Sequence, residues 1–137
     1  MSDNRQLLAE YVRDVWDQGD LAALERYLSP SFERHRSPLL PPLNRTEQIE
    51  RLRGIRAAFP DVTIVVQDVV AEADRVAFRS VLRGTHTGEF MGISPTGVAV
   101  TVGLLDLLRM EDGKFAEQWG GPDMHDMLGQ LGATYSL

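Results

Sequence analysis

A chain of 137 residues, 43% hydrophobic and 25% charged, has the size and composition of one globular domain built on one core. A net charge of −6 without any Lys/Arg cluster argues against a general basic surface for nucleic acid or an anionic membrane. The absence of cysteine excludes disulfides, thiolate nucleophiles and cysteine-held metals, and fits a cytoplasmic address. No run of about 18 apolar residues occurs and the N-terminus has no apolar signal core, so neither a membrane span nor a secretory leader is expected.

Asn4 to Leu28 reads as helix, because Leu7, Leu8, Tyr11, Val12 and Val15 recur at helical spacing. Gly19-Asp20 interrupts it, and Asp20 can cap a second short helix carrying Leu21, Leu24 and Leu28. Ser29-Pro30 ends that helix. Arg36 to Asn44, with Pro38, Pro41 and Pro42, reads as a loop made less polar than most by Leu39 and Leu40. Thr46-Glu47 opens a third helix with Ile49, Leu52, Ile55 and Phe59 on one side, and Pro60 stops it.

At Asp61 the period changes to two, which predicts strands near residues 62–72, 75–86, 98–110 and 114–120. Glu111-Asp112-Gly113 marks a hairpin between the last two. A short helix from Met124 to Leu131 closes the chain. Helices first and antiparallel strands after them favour a single α+β domain over residues 1–137. Several strands are apolar on both faces. A curved sheet with helices on one face and a second copy of the chain on the other, a homodimer, accounts for that.

Polar residues inside apolar strands are the informative ones, since their burial costs energy unless they are paired or used. Asp106 shares a strand face with Leu104 and Leu108. It either pairs with a basic strand neighbour such as Arg79 or Arg83, or lies in a cavity with a raised pKa. Arg79 and Arg83 share a face of their strand and can bind an anionic or carbonyl-rich ligand, or pair with acids on adjacent strands. Phe115, Glu117 and Trp119 share a face of the last strand. Asp123 follows Gly120-Gly121-Pro122, where it can project from a rim into a pocket or cap the helix beginning at Met124. Three histidines suit proton transfer: His35 at the edge of the proline-rich loop, His86 in Gly84-Thr85-His86-Thr87-Gly88, and His125 two residues after Asp123. No HxH or HExxH spacing occurs, so no metal site is expected, and the absence of GxGxxG, GxxxxGK[ST] and GxSxG speaks against nucleotide binding and serine-hydrolase chemistry.

Several ordered segments carry a resemblance: Val15-Trp16-Asp17-Gln18-Gly19-Asp20, Ala58-Phe59-Pro60-Asp61, Gly84-Thr85-His86-Thr87-Gly88-Glu89-Phe90, Ile93-Ser94-Pro95-Thr96-Gly97, Arg109-Met110-Glu111-Asp112-Gly113-Lys114, Glu117-Gln118-Trp119, Asp123 and Gln130-Leu131-Gly132. Together they resemble the SnoaL-like polyketide cyclase family within the nuclear transport factor 2-like superfamily. The resemblance implies a cone-shaped, curved antiparallel sheet (cystatin-like) closed by N-terminal helices around a pocket, commonly as a dimer. It implies an intramolecular aldol condensation on a polyketide ester without metal or cofactor, with an aspartate in Trp-x-x-x-Asp, here Asp123, as general acid/base. It places a histidine at His35, facing the pocket mouth. Gln118 stands where the family commonly has histidine.

The expected catalytic set is therefore Asp123, His35 and Asp106. Arg79, His86, Phe90, Glu117 and Trp119 are the expected substrate-binding residues, with a small apolar or aromatic ligand as partner. Desolvation by Trp119, Phe90 and the strand leucines would raise the carboxylate's pKa, and His35 or a protonated acid would stabilise an enolate oxygen. The alternative is a non-catalytic domain of the same fold that binds a small ligand or a partner.

Overall fold

The computed structural model describes residues 3–133. Asp3 accepts from Arg5 N at 2.9 Å and starts helix α1, Asn4–Tyr11. The helix widens into a π-helical turn, Val12–Asp17, where Gln18 N reaches Arg13 O at 2.9 Å. Asp20 then caps a 3₁₀ turn, Leu21–Ala23, through its bond from Ala23 N, and α2, Leu24–Tyr27, follows. Strands β1, Leu28–His35, and β2, Leu43–Asn44, lead into α3, Arg45–Ala58. Asn44 and Glu47 form a capping box there, each side chain accepting from the other's backbone N–H. The remaining elements are β3, Thr63–Glu72; β4, Arg75–Thr85; β5, Ala99–Glu111; β6, Lys114–Pro122; and α4, Met124–Gln130. Among the described residues no helix is long and apolar enough to cross a membrane.

The six strands form one curved sheet in the order β2-β1-β6-β5-β4-β3. Four of the five pairings are antiparallel and β1 runs parallel to β6. The four long strands and the α+β order agree with the sequence reading. β1 corrects it, because the sequence reading ends a helix at Ser29-Pro30 and places no strand before residue 62. Pro30 donates no backbone bond, but the β1–β6 register breaks between Leu28 and Glu33, so it sits where no ladder bond is needed.

The helices cover the inner face of the sheet. Leu8, Leu24, Leu28, Phe32, Phe59, Leu82, Leu108 and Phe115 are all nearly inaccessible between them. Along β5 the alternation is regular: Val100, Val102, Leu104, Asp106, Leu108 and Met110 point inward and are buried. Two bulges interrupt the pleat elsewhere. In β3, Val66 pairs with Ser80 and Asp68 with Arg79, leaving Gln67 as an extra residue. In β6, Phe115 pairs with Met110 and Glu117 with Arg109, leaving Ala116 extra. Phe115 therefore faces the core, whereas Glu117 and Trp119 face outward. The shared face expected for Phe115, Glu117 and Trp119 is corrected by this one inserted residue.

Candidate active site

A cavity of about 530 Å³ opens between the inner face of the sheet, α3, α4 and the loop after β4. A smaller chamber of about 40 Å³ lies at its inner end, and Arg34, Arg51, Ile55, Leu82 and Pro122 border both. The mouth is largely apolar, with Phe59, Phe90, Met91, Met124 and Met127, and carries Arg36, Glu50 and Glu89. Phe59 and Phe90 meet edge to face at 5.3 Å.

The inner chamber gathers polar groups against apolar walls. Asp106 projects there from the inner face of β5 and is 4% exposed. Gln118 Nε2, on β6, donates to its Oδ1 at 3.0 Å. Burial pushes the Asp106 carboxyl above its ordinary value, against the opposing pull of the Gln118 bond and of the Arg34 and Arg51 charges. Tyr11 stands at the end of α1, where Trp16 Nε1 donates to its hydroxyl at 3.2 Å, and burial raises its pKa to about 12. Arg34 comes from β1, and burial lowers its pKa. Arg51 comes from α3, where burial and then the charge of Arg34 bring its pKa down to about 10. Gln48 Oε1 is buried and has no hydrogen-bond partner among the described residues.

A glycine pair makes room for the arginine. Arg34 Nη2 donates to Gly120 O at 2.7 Å. Gly120 and Gly121 have φ values of 95° and 132°, which side-chain-bearing residues rarely adopt. A Cβ on Gly121 would collide with Arg34 Nη2, and one on Gly120 with Leu105 O.

Of the residues singled out from the sequence, Asp106 lines the inner chamber and Phe90 the mouth. The cavity alternative for Asp106 is the one realised. Its basic neighbours are Arg34 and Arg51 rather than Arg79, which pairs in register with Leu105 and faces outward. Arg79 binds Gln67 and, at 2.5 Å, Asp68, so it does not reach the cavity. Asp123 is exposed. Its neighbours Pro122 and Met124 line the mouth, but its own Oδ1 accepts from Asp126 N at 3.0 Å and caps α4. His125, on the first turn of α4, is exposed. His86 is fully buried; its Nδ1 lies 2.9 Å from Thr96 Oγ1 and accepts from Thr96 N at 3.2 Å, so it anchors the loop after β4 from behind Phe59 rather than lining the cavity.

His35, Glu117 and Trp119 form a separate group on the outer face of the sheet, which corrects the expectation that His35 faces the pocket mouth. Phe32 and Arg34 point inward, so strand parity turns Glu33 and His35 out. His35 stacks on Trp119 at 4.9 Å and bonds Glu117 at 2.7 Å. Arg109 also donates to Glu117 at 2.7 Å, and chiefly for that reason the Glu117 carboxyl lies below its ordinary range. Glu33, His35 and Glu117 present possible metal-ligand atoms within 4.8 Å of one another. Both oxygens of Glu117 are already engaged, however, and the adjacent guanidinium opposes a cation.

Tyr11, Arg34, Gln48, Arg51 and Gln118 are site residues that sequence reasoning did not select. One signal was present. Gln48, Leu52 and Ile55 share a face of α3 by spacing, so a polar side chain sits within the apolar stripe, with Arg51 beside it.

The sequence pattern of the SnoaL-like polyketide cyclase family matches residues 6–131, and the chain belongs to that family. Over 63 residues it is 40% identical to aklanonic acid methyl ester cyclase AcmA of Streptomyces galilaeus, a match covering 46% of this chain and 44% of that one, less than half the length of each. The fold superimposes on AclR of Streptomyces galilaeus, a proposed hydroxylase, with a TM-score of 0.86, 34% identity and 96% of both chains covered. IdmH of Streptomyces antibioticus, a proposed polyketide cyclase, gives a TM-score of 0.82 and 34% identity over 96% of this chain and all of the other. Membership supports a small-molecule enzyme of cyclase or hydroxylase type.

Proposed function

We propose that this chain catalyses carbon–carbon ring closure on a flat carbonyl compound by acid/base chemistry that needs no bound cofactor, with Asp106 as the proton-transferring group. The observation that carries the reading is a carboxyl buried at the closed end of an apolar cavity, oriented by Gln118 and raised in pKa by burial. A carboxylate so placed is a stronger base than one in water. It takes a proton from the carbon next to a carbonyl, and the resulting enolate oxygen accepts from the Tyr11 hydroxyl. That phenol stays protonated at neutral pH and already accepts from Trp16, leaving its own O–H to donate. The enolate carbon attacks a second carbonyl of the same molecule, a C–C bond forms, and Asp106 returns its proton to the new alkoxide. The cyclase and proposed cyclase among the relatives support this reading.

The resemblance assigns this role to Asp123, and a single comparison separates the two. The probe is 2-tetralone in deuterated buffer, with loss of its α-proton signal followed by NMR. Asp106→Asn is expected to slow exchange by roughly 10²–10⁴, while Asp123→Asn leaves it near wild type. The reverse pattern restores Asp123. No exchange above buffer by the wild type, with saturable binding of the ketone, makes the protein a binder.

A homodimer with a cytoplasmic address completes the proposal. On the outer sheet face Leu105 and Val70 are each 67% exposed and lie near Leu107 and Trp119. Charged neighbours such as Arg79–Asp68 and Arg109–Glu117 are paired within that face. A second copy covers such a surface through a two-fold axis without bringing in unpaired charge.

A further inference from the structure

Two guanidinium groups, those of Arg34 and Arg51, border the inner chamber of the cavity, and among the described residues no carboxylate is bound to either. Arg34 is 4% exposed; its Nη2 is used by Gly120 O, and its buried Nε has no hydrogen-bond partner among the described residues. Arg51 borders both parts of the cavity, and among the described residues its side chain makes no hydrogen bond or ion pair. Asp106 is the carboxyl of the inner chamber, but its Oδ1 is engaged by Gln118, and among the described residues it makes no hydrogen bond or ion pair with either guanidinium. Glu50 and Glu89 are exposed at the mouth. On the surface, by contrast, Arg13, Arg79 and Arg109 each hold a carboxylate at 2.5–2.8 Å. Arg13, Arg79 and Arg109 thus hold acids where solvent screens the pair, whereas Arg34 and Arg51, at the inner end of the cavity, hold none among the described residues. An unpaired charge out of water is unfavourable, and a planar guanidinium fork matches a carboxylate.

We propose that the cavity takes a ligand that is flat and apolar over most of its length and ends in a free carboxylate, clamped between Arg34 and Arg51. The apolar part lies along Phe59, Phe90 and the mouth methionines, which adapt to a flat ring system. The proposal rests on the cavity being the ligand site proposed above and narrows its substrate to an acid. AcmA is named for a methyl ester, whose end group carries no charge. Here the ester would leave both guanidiniums without an anion.

The test compares 2-naphthoate with methyl 2-naphthoate by calorimetry at neutral pH. The acid is expected to bind at least about ten-fold more tightly, the usual worth of a hydrogen bond to a charged group. Arg51→Gln should abolish that preference and leave ester affinity within a few-fold. Arg79→Gln, on the outer face, should leave both affinities unchanged. Ester binding as tight as the acid, or an acid preference that survives Arg51→Gln, overturns the carboxylate clamp while the cavity reading stands. Failure of both probes to bind overturns the two together. If Arg51→Gln loses its circular dichroism spectrum, the acid-to-ester ratio of the wild type, measured again at low ionic strength, decides: a ratio near one overturns the clamp.

Discussion

Asp106 is held in an environment that disfavours its charge, and this has a consequence for stability that needs no substrate. Its pKa in the folded protein lies above the ordinary 3.8. The stability available with Asp106 neutral is therefore present at low pH and is lost as pH rises from that value through the raised one. Asp106→Asn keeps an acceptor for Gln118 and removes the charge. It should raise the melting temperature at neutral pH, with the difference from wild type shrinking as the pH falls below 4; an unchanged or lower neutral-pH value in a calorimetric scan would contradict this. Asp123 behaves in the opposite way. As a cap, Asp123→Ala should cost about 1 kcal/mol in urea unfolding and Asp123→Asn close to nothing. Asp106 was legible in the sequence because a lone carboxylate interrupts a run of strand leucines. Arg34 and Arg51 were not, since each belongs to a different element and only the packing of β1 against α3 brings them together. Of the two roles open to Arg79, pairing with an acid on the adjacent strand, Asp68, is the one realised; the substrate-binding role is not, because the register with Leu105 turns it away from the cavity.

At the level of elements, periodicity located the four long strands and α3 closely, because unbroken alternation and strong caps are local properties. β1 escaped because Pro30 sits in it and because its partner β6 is more than eighty residues away in the chain; a parallel pairing leaves no hairpin signal. Bulges escaped for a related reason, as one extra residue reverses the facing of everything beyond it while leaving composition unchanged. The junction of β6 with the cavity also depends on Gly120, whose carbonyl accepts from Arg34 and whose φ is 95°. Gly120→Ala forces a Cβ against Leu105 O. It should destabilise by more than about 1 kcal/mol in urea unfolding and weaken ligand binding, whereas Gly103→Ala, with open space around its Cβ, should do much less.

For the whole molecule, the apolar strand faces noted in the sequence separate into two destinies. One face closes on the helices and the cavity; the other remains outside with Leu105, Val70 and Val65 exposed. Light scattering at micromolar concentration should give twice the 15.3 kDa chain mass, and Leu105→Glu should return it to one. A wild-type monomer would mean that this surface stays wet.

The extra residue in β3 bears on a different hazard. β3 is ten residues long and forms one border of the sheet, the other being the two-residue β2. A long, straight border strand offers its unused backbone groups to any identical strand that drifts alongside, which is how fibres grow. The Gln67 bulge bends that border, and Asp68 and Glu72 place charge on it. Removing Gln67 would straighten the strand, and a folded protein that keeps to itself should then seed thioflavin-positive filaments on gentle warming.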